Sequence, residues 1–329
     1  MPSALASYVV AAVLLGVAPE LPRCTSHAET HCDCRKERRC RTLRHAFCIS
    51  ACLSLRVIGK ALPGASWHRK LTDALVRPHI TPRTKLVAII DPHNPLGTSY
   101  TEAEIQAMCA LVEQHDAYLL HDATYRDFAI DGHFPAIRYS ERAIMNISLS
   151  KICGFAGMRV GATLTNPKLL RKIRDRQISR LGGNWVAQRG AIAAYKSKKS
   201  WQPRVLDTCR RNQRVLNDCI AKLDGLRVLV YPSSGNFLAV DVTGTGRSAS
   251  EFVSAVLDGG FVIRSGGYTS PRFGDEFVRI TTTVPPADID RLGRALPKIV
   301  TELLRKPINK STERELEGEA SAKASMSAR

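Results

Sequence analysis

At 329 residues the chain can hold one large or two ordinary domains with a sizeable core, which excludes a disulfide-stapled miniprotein or an isolated peptide module. Its 44% hydrophobic and 24% charged residues are ordinary for a globular protein, and no stretch reaches the roughly 18 consecutive apolar residues of a membrane-spanning helix, so no membrane association is expected. The net charge of +18, from 48 Lys and Arg against 30 Asp and Glu, leaves nucleic acid, acidic lipid and anionic ligands open, and the distribution of charge separates them.

Residues 1–85 carry 14 Lys/Arg and 5 Asp/Glu, so about a quarter of the chain holds half of the excess. Six of the ten cysteines lie there too: Cys24, Cys32, Cys34, Cys40, Cys48 and Cys52. Zinc ribbons and fingers want paired C-x₂₋₄-C ligands from one tight turn, whereas the gaps here are 7, 1, 5, 7 and 3 residues. A disulfide framework needs an oxidising compartment, but the apolar run Ala4 to Ala18 has no basic flank and is followed by Pro19, a poor cleavage site. The basic run Arg35 to Arg41 lacks interleaved aromatics and a recognisable module, so nucleic acid is not an expected partner. The expectation is that 1–69 is a divergent, Cys/Arg-rich, poorly ordered segment outside the core fold. With no targeting segment, the default location is the cytoplasm.

From Lys85 onward, short β-branched runs alternate with helix-length amphipathic stretches, the pattern of βαβ units and a mostly parallel sheet. Leu86 to Ile90 reads as a strand covered on both faces. It leads into the Pro- and Gly-fixed turn Asp91-Pro92-His93-Asn94-Pro95-Leu96-Gly97. Thr101-Glu102-Ala103-Glu104 has capping-box spacing, and Ile105, Met108, Cys109, Leu111 and Val112 make the apolar stripe of a helix reaching about Gln114. A second strand starts at Tyr118 and ends in His121-Asp122. A third, Ala143 to Ile147, ends in Ser148-Leu149-Ser150-Lys151, followed by a loop containing Gly154, Gly157, Arg159 and Gly161.

Asn184 to Leu223 predicts long helices, with a break near Pro203. Strands at 226–230, 236–240, 261–264 and 277–282 then alternate with helices at about 248–257 and 286–304, which predicts a smaller α+β domain. Residues 306–329 have almost no large apolar side chain and should form a flexible tail. The expected domains are an incomplete cofactor-binding large domain at 70–200 and the small domain at 201–305.

In open α/β sheets, ligands bind outside the carboxyl ends of the strands, where Asn94, Asp122, Ser148, Ser150 and Lys151 all fall. The run Asp-Pro-His-Asn-Pro-Leu-Gly, then Asp122 with Tyr125, then Ser-Leu-Ser-Lys with Arg159, and finally Arg279 in Phe277-Val278-Arg279-Ile280 resembles the class I/II aminotransferases of pyridoxal-phosphate fold type I. The resemblance covers about 70–304. It implies an α/β large domain whose mostly parallel sheet is flanked by helices, plus a smaller α+β C-terminal domain. It also implies pyridoxal 5'-phosphate as cofactor, amino-acid and 2-oxo-acid substrates, transamination through a Lys151 Schiff base, and a homodimer.

Residue by residue, the resemblance makes Lys151, Asp122 and Tyr125 catalytic. Asn94, Asp122, Tyr125, Ser148, Ser150, Lys151 and Arg159 would hold the cofactor, and Arg279 the substrate carboxylate; no metal is implied. Chemically, a lysine with a lowered pKa serves as nucleophile and general base, a carboxylate keeps a pyridine nitrogen protonated, and a guanidinium grips a carboxylate with two hydrogen bonds. His93 and His121 read as neighbours of the site, and Cys153 as a packing residue. The sequence departs from the family upstream: no Gly/Ser/Ala phosphate loop is recognisable there, and Trp67 has no motif around it to mark a ring-stacking aromatic. Two alternatives therefore stay open, a lyase, decarboxylase or cyclase on the same fold, or a truncated, catalytically impaired homologue.

Overall fold

The computed structural model describes residues 70–175, 184–270 and 273–307. The readings made for 1–69, including the cysteines and Trp67, and for most of the tail lie outside them.

The helix α1 (Asp73–Val76) leads to the strand β1 (Leu86–Ile90), the helix α2 (Glu102–Gln114) and the strand β2 (Tyr118–Asp122). The α2 start is the capping box read from sequence: the Thr101 side chain accepts from Glu104 N–H, and the Glu104 carboxylate accepts from Thr101 N–H at 2.7 Å. Ile105, Met108, Cys109, Leu111 and Val112 form the buried stripe, packed with Val87, Ile89, Leu119 and Ala143. The strand β3 (Ala143–Ser148) completes a parallel trio, and β4 (Gly161–Leu164) closes the sheet order β1-β2-β3-β4 by pairing antiparallel to β3. Gly161 therefore belongs to a strand, not to the loop expected after Lys151. A Cβ there would lie 2.6 Å from the Ile147 carbonyl oxygen, so the close pairing of β4 on β3 needs glycine.

After α3 (Pro167–Asp175) come α4 (Trp185–Lys196) and α5 (Lys198–Ile220). The break falls at Ser197, which caps α4 through its N–H on Ala193 O, and Pro203 sits inside α5 instead of ending it. Without an N–H, Pro203 removes one i→i−4 backbone bond from the second turn of α5.

A second sheet runs β5-β6-β8-β7, all antiparallel, from β5 (Arg227–Val228), β6 (Phe237–Asp241), β7 (Arg264–Ser265) and β8 (Phe277–Thr281). The outer strands β5 and β7 are two residues long, shorter than the apolar runs at 226–230 and 261–264 suggested. The sheet is covered by α5, α6 (Ala249–Asp258) and α7 (Pro286–Arg305), with Leu216, Leu238, Phe252, Val278, Leu292 and Leu296 in the shared core. Phe252 is 1% exposed. Phe252→Ala should therefore cost about 3–5 kcal/mol, read as a lower denaturant midpoint at unchanged slope.

The two sheets meet in a third cluster in which Tyr125, Phe128 and Ile152 pack on Cys209 and Phe237. A polar strap secures the junction. Gln213 Nε2 donates to Ser233 O at 3.1 Å and Gly235 O at 2.9 Å, its Oε1 accepts from Ser233 N–H, and Arg210 donates to Ser233 O and Phe128 O. Ser234 N–H in turn donates to Gly97 O at 2.7 Å. Gly97 has φ +79°, and a Cβ there would fall 2.0 Å from Ser233 Oγ, so the turn that carries Asn94 can touch the strap only with glycine.

Candidate active site

Strand ends place the candidate residues. Asp122 closes β2, and both hydrogen bonds of its carboxylate, from Thr124 N–H at 3.0 Å and Thr124 Oγ1 at 2.6 Å, fall on Oδ1. Oδ2 is left for another partner among the described residues. Asn94 lies on the turn after β1, whose first residue is tied to β2 by Asp91 N–H to Asp122 O at 2.9 Å. Lys151 follows β3, half-buried, with Nζ 5.8 Å from the Tyr125 ring centroid and no hydrogen bond or ion pair among the described residues.

From the other sheet, Arg279 on β8 reaches across the junction. Its Nη1 donates to Asn94 Oδ1 at 2.7 Å, and its guanidinium lies 5.1 Å over the Phe237 ring. Tyr125 meets that ring edge-on at 5.3 Å, so Lys151, Tyr125, Phe237, Arg279 and Asn94 form one contiguous set.

Burial first, and then the Arg279 and Arg264 cations, hold the Lys151 amine below the usual lysine range. Burial pushes the Tyr125 phenol up to about 12, with Asp122 adding to the rise and Arg279 opposing it. The Arg279 guanidinium is lowered by burial and by Arg264. Such an arrangement holds a free or readily freed amine, a carboxylate with an open oxygen, and a cation able to grip an anion.

Ser148 and Ser150 stand beside Lys151, where Ser148 Oγ accepts from Ser150 N–H at 3.1 Å. Arg159 does not join them. Its side chain is exposed and donates to Ala156 O at 2.9 Å, on a backbone with φ +52°. Sequence reading did not single out Arg264, although β7 sets it directly opposite Arg279 in register, with its guanidinium 4.7 Å over the Tyr268 ring. It also missed Phe237, whose only mark was its place in an apolar run.

Behind the site, Asp91, His121 and His133 converge, and His93 is buried close enough for Asp91 to act on it. Burial holds both His93 and His133 down to about 4, against an opposing pull from Asp91. Between pH 6.5 and 4 the unfolded chain thus binds more protons at these histidines than the folded one. Stability should fall as pH drops through that window and level off below it. Urea unfolding from pH 7.5 to 4 checks this, and a His93→Asn variant should show a shallower decline.

A family model described as "Aminotransferase class I and II" matches residues 66–296. Among curated relatives, the chain is 32% identical over 184 residues to the arginine–pyruvate transaminase AruH of Pseudomonas aeruginosa, covering 54% of this chain and 47% of that one. It is 28% identical over 258 residues to histidinol-phosphate aminotransferase 2 of Haemophilus influenzae, covering 75% and 64%. The chain thus spans between about half and just under two thirds of these relatives' lengths. Among solved structures, a double mutant of Thermus thermophilus aspartate aminotransferase superposes with a TM-score of 0.63 at 20% identity, over 70% of this chain and 60% of that one. A PLP-dependent aminotransferase from Streptococcus suis gives 0.64 at 19% identity, over 70% and 61%. The α/β fold with its mixed, mostly parallel sheet is the fold of these enzymes.

Proposed function

The chain belongs to the class I and II aminotransferases, and we propose that it moves an amino group from an amino acid to a 2-oxo acid with pyridoxal phosphate bound across the ends of β1, β2 and β3. The observation that carries this is the convergence of Lys151, Asp122, Tyr125, Asn94 and Arg279 from both sheets. Their donor set fits the ring end of the cofactor: Asp122 Oδ2 would face its pyridine nitrogen, Asn94 and Tyr125 its ring oxygen, and Lys151 its carbonyl carbon. At the phosphate end, Ser148, Ser150 and Arg159 remain the proposed contacts, with Arg159 needing to turn from Ala156. When bound, pyridoxal phosphate supplies an electron sink for the carbon that loses its proton.

The chain's own residues do the rest. Arg279 orients the substrate by its carboxylate. That carboxylate neutralises one of the two cations that lower Lys151, so the proton affinity of Nζ rises when substrate is seated and Lys151 can take up the α-proton.

Arg264 and Arg279, paired in register and with Arg264 close enough to lower the Arg279 guanidinium, favour a substrate with a second anionic group, because like charges opposed across a strand pair are costly until an anion separates them. Arg264→Ala should raise KM about tenfold for a dianionic amino acid or amino-phosphate and less for a monoanionic one, as measured by steady-state kinetics. A homodimer and a cytoplasmic location belong to the same proposal. The test of the function is the visible absorption of purified protein with added pyridoxal phosphate, followed by an assay for 2-oxo acid. No spectral change at saturating cofactor would sink it, and carbon dioxide in place of a 2-oxo acid would favour the decarboxylase alternative.

A further inference from the structure

On the face of β2 opposite Asp122 lies a second constellation that the proposed reaction does not use. Asp91 and His121 have fully buried side chains, and that of His133 is 8% exposed. Asp91 Oδ2 is 3.3 Å from His121 Nε2 and 3.4 Å from His133 Nε2, and all three ligand atoms lie within 4.8 Å of one another. Zinc bonds of about 2.0–2.2 Å to nitrogen and oxygen place neighbouring ligands of a tetrahedron about 3.4 Å apart. The two imidazoles stack with centroids 4.9 Å apart and planes 24° apart, and both present Nε2 to the same carboxylate oxygen.

The polar accounting also calls for a cation. His133 Nε2 is buried without a hydrogen-bond partner. Nε2 lies 3.4 Å from Asp91 Oδ2 with no hydrogen bond between them, a contact that a cation shared by the two atoms would satisfy. Asp91 Oδ1 accepts from Tyr100 N–H at 3.0 Å, an outer contact that fixes the carboxylate. We propose that Asp91, His121 and His133 bind one divalent transition-metal ion, zinc by geometry and ligand type, with a water as the fourth tetrahedral ligand, and that the ion ties the ends of β1 and β2 to the loop carrying His133. One contact opposes it: Ala136 N–H donates to His121 Nδ1 at 3.2 Å, and must release it when His121 coordinates through Nε2. Leaving that buried N–H unpaired lowers affinity by about ten- to a hundredfold, less than the gain from three ligands on one ion.

The test is metal uptake by the full chain after exhaustive chelation. On adding Zn²⁺, wild type should retain one more ion per chain than His133→Ala, by elemental analysis, and should melt at a higher temperature while the variant does not respond. Co²⁺ should give the visible absorption of a tetrahedral site in wild type alone, and His133→Ala should weaken binding at least about 100-fold. Equal uptake by both proteins would put the ion elsewhere, as in the cysteine-rich segment at 24–52, and overturns the proposal. So does no uptake by either. His133→Ala is the decisive variant because His133 lies on a loop, whereas Asp91→Asn strikes a fully buried junction; His121→Ala, with the same expected loss, is the second. Pyridoxal-phosphate absorption on the same chelated samples keeps the two readings apart: cofactor binding without zinc uptake defeats only the metal site, and zinc uptake without cofactor binding defeats only the aminotransferase.

Discussion

Lys151→Ala is expected to abolish covalent loading of pyridoxal phosphate, seen by intact mass after borohydride reduction, and to lower 2-oxo acid formation by at least about 10³-fold, within the range that a positioned acid or base contributes. The site's physics explains the size of the effect. Half-burial and the Arg279 and Arg264 cations keep the Lys151 amine easier to deprotonate than an exposed lysine, and no other lysine stands at a parallel strand end beside Asp122 among the described residues. Added methylamine should restore part of the lost rate, because it returns an amine without returning its tether. Activity within tenfold of wild type would remove Lys151 from the chemistry.

Arg279→Ala should lower kcat/KM for an amino acid by roughly 10²-fold or more, with far less change in pyridoxal-phosphate affinity. Truncating one partner of a buried, hydrogen-bonded charge pair costs about 2–5 kcal/mol, and Arg279 sits on a strand buried between neighbours and stacked on Phe237. Arg279→Lys should recover little, since an ammonium cannot present two parallel donors to a carboxylate. Arg279→Ala also removes a cation that lowers Lys151, so the pKa of Nζ should rise, visible as an alkaline shift of the pH profile. Equal loss of cofactor and substrate binding would mean that Arg279 holds the junction together through Asn94 instead of gripping substrate.

The parts legible in the sequence are those whose signal is local. The β1–α2–β2 unit was readable because the strand, the capping box at Thr101 and the stripe from Ile105 to Val112 each declare themselves within a dozen residues. The placement of Asp122 at the end of β2 and of Lys151 just past β3 was readable because each follows an apolar strand run. What escaped depends on pairing. Four residues from Gly161 look like loop until β3 is beside them, and a two-residue β7 has too few positions to show alternation. Arg264 gains meaning only from its register with Arg279. Asp91, His121 and His133 are separated by up to 42 positions and meet only when β1, β2 and the following loop are assembled. Arg159 marks the reverse case: its place in the sequence suggested a phosphate ligand, while its own loop offers Ala156 O as a nearer acceptor.

The amide of Gln213 holds the strap at 233–235 through both its nitrogen and its oxygen, and Arg210 pins the same strap to Phe128. Helix α5 therefore behaves as an axle fixed at its middle. Bending the strap would break several buried hydrogen bonds at once, so the spacing of Asn94 and Arg279 is held from behind by groups that stand outside the proposed site.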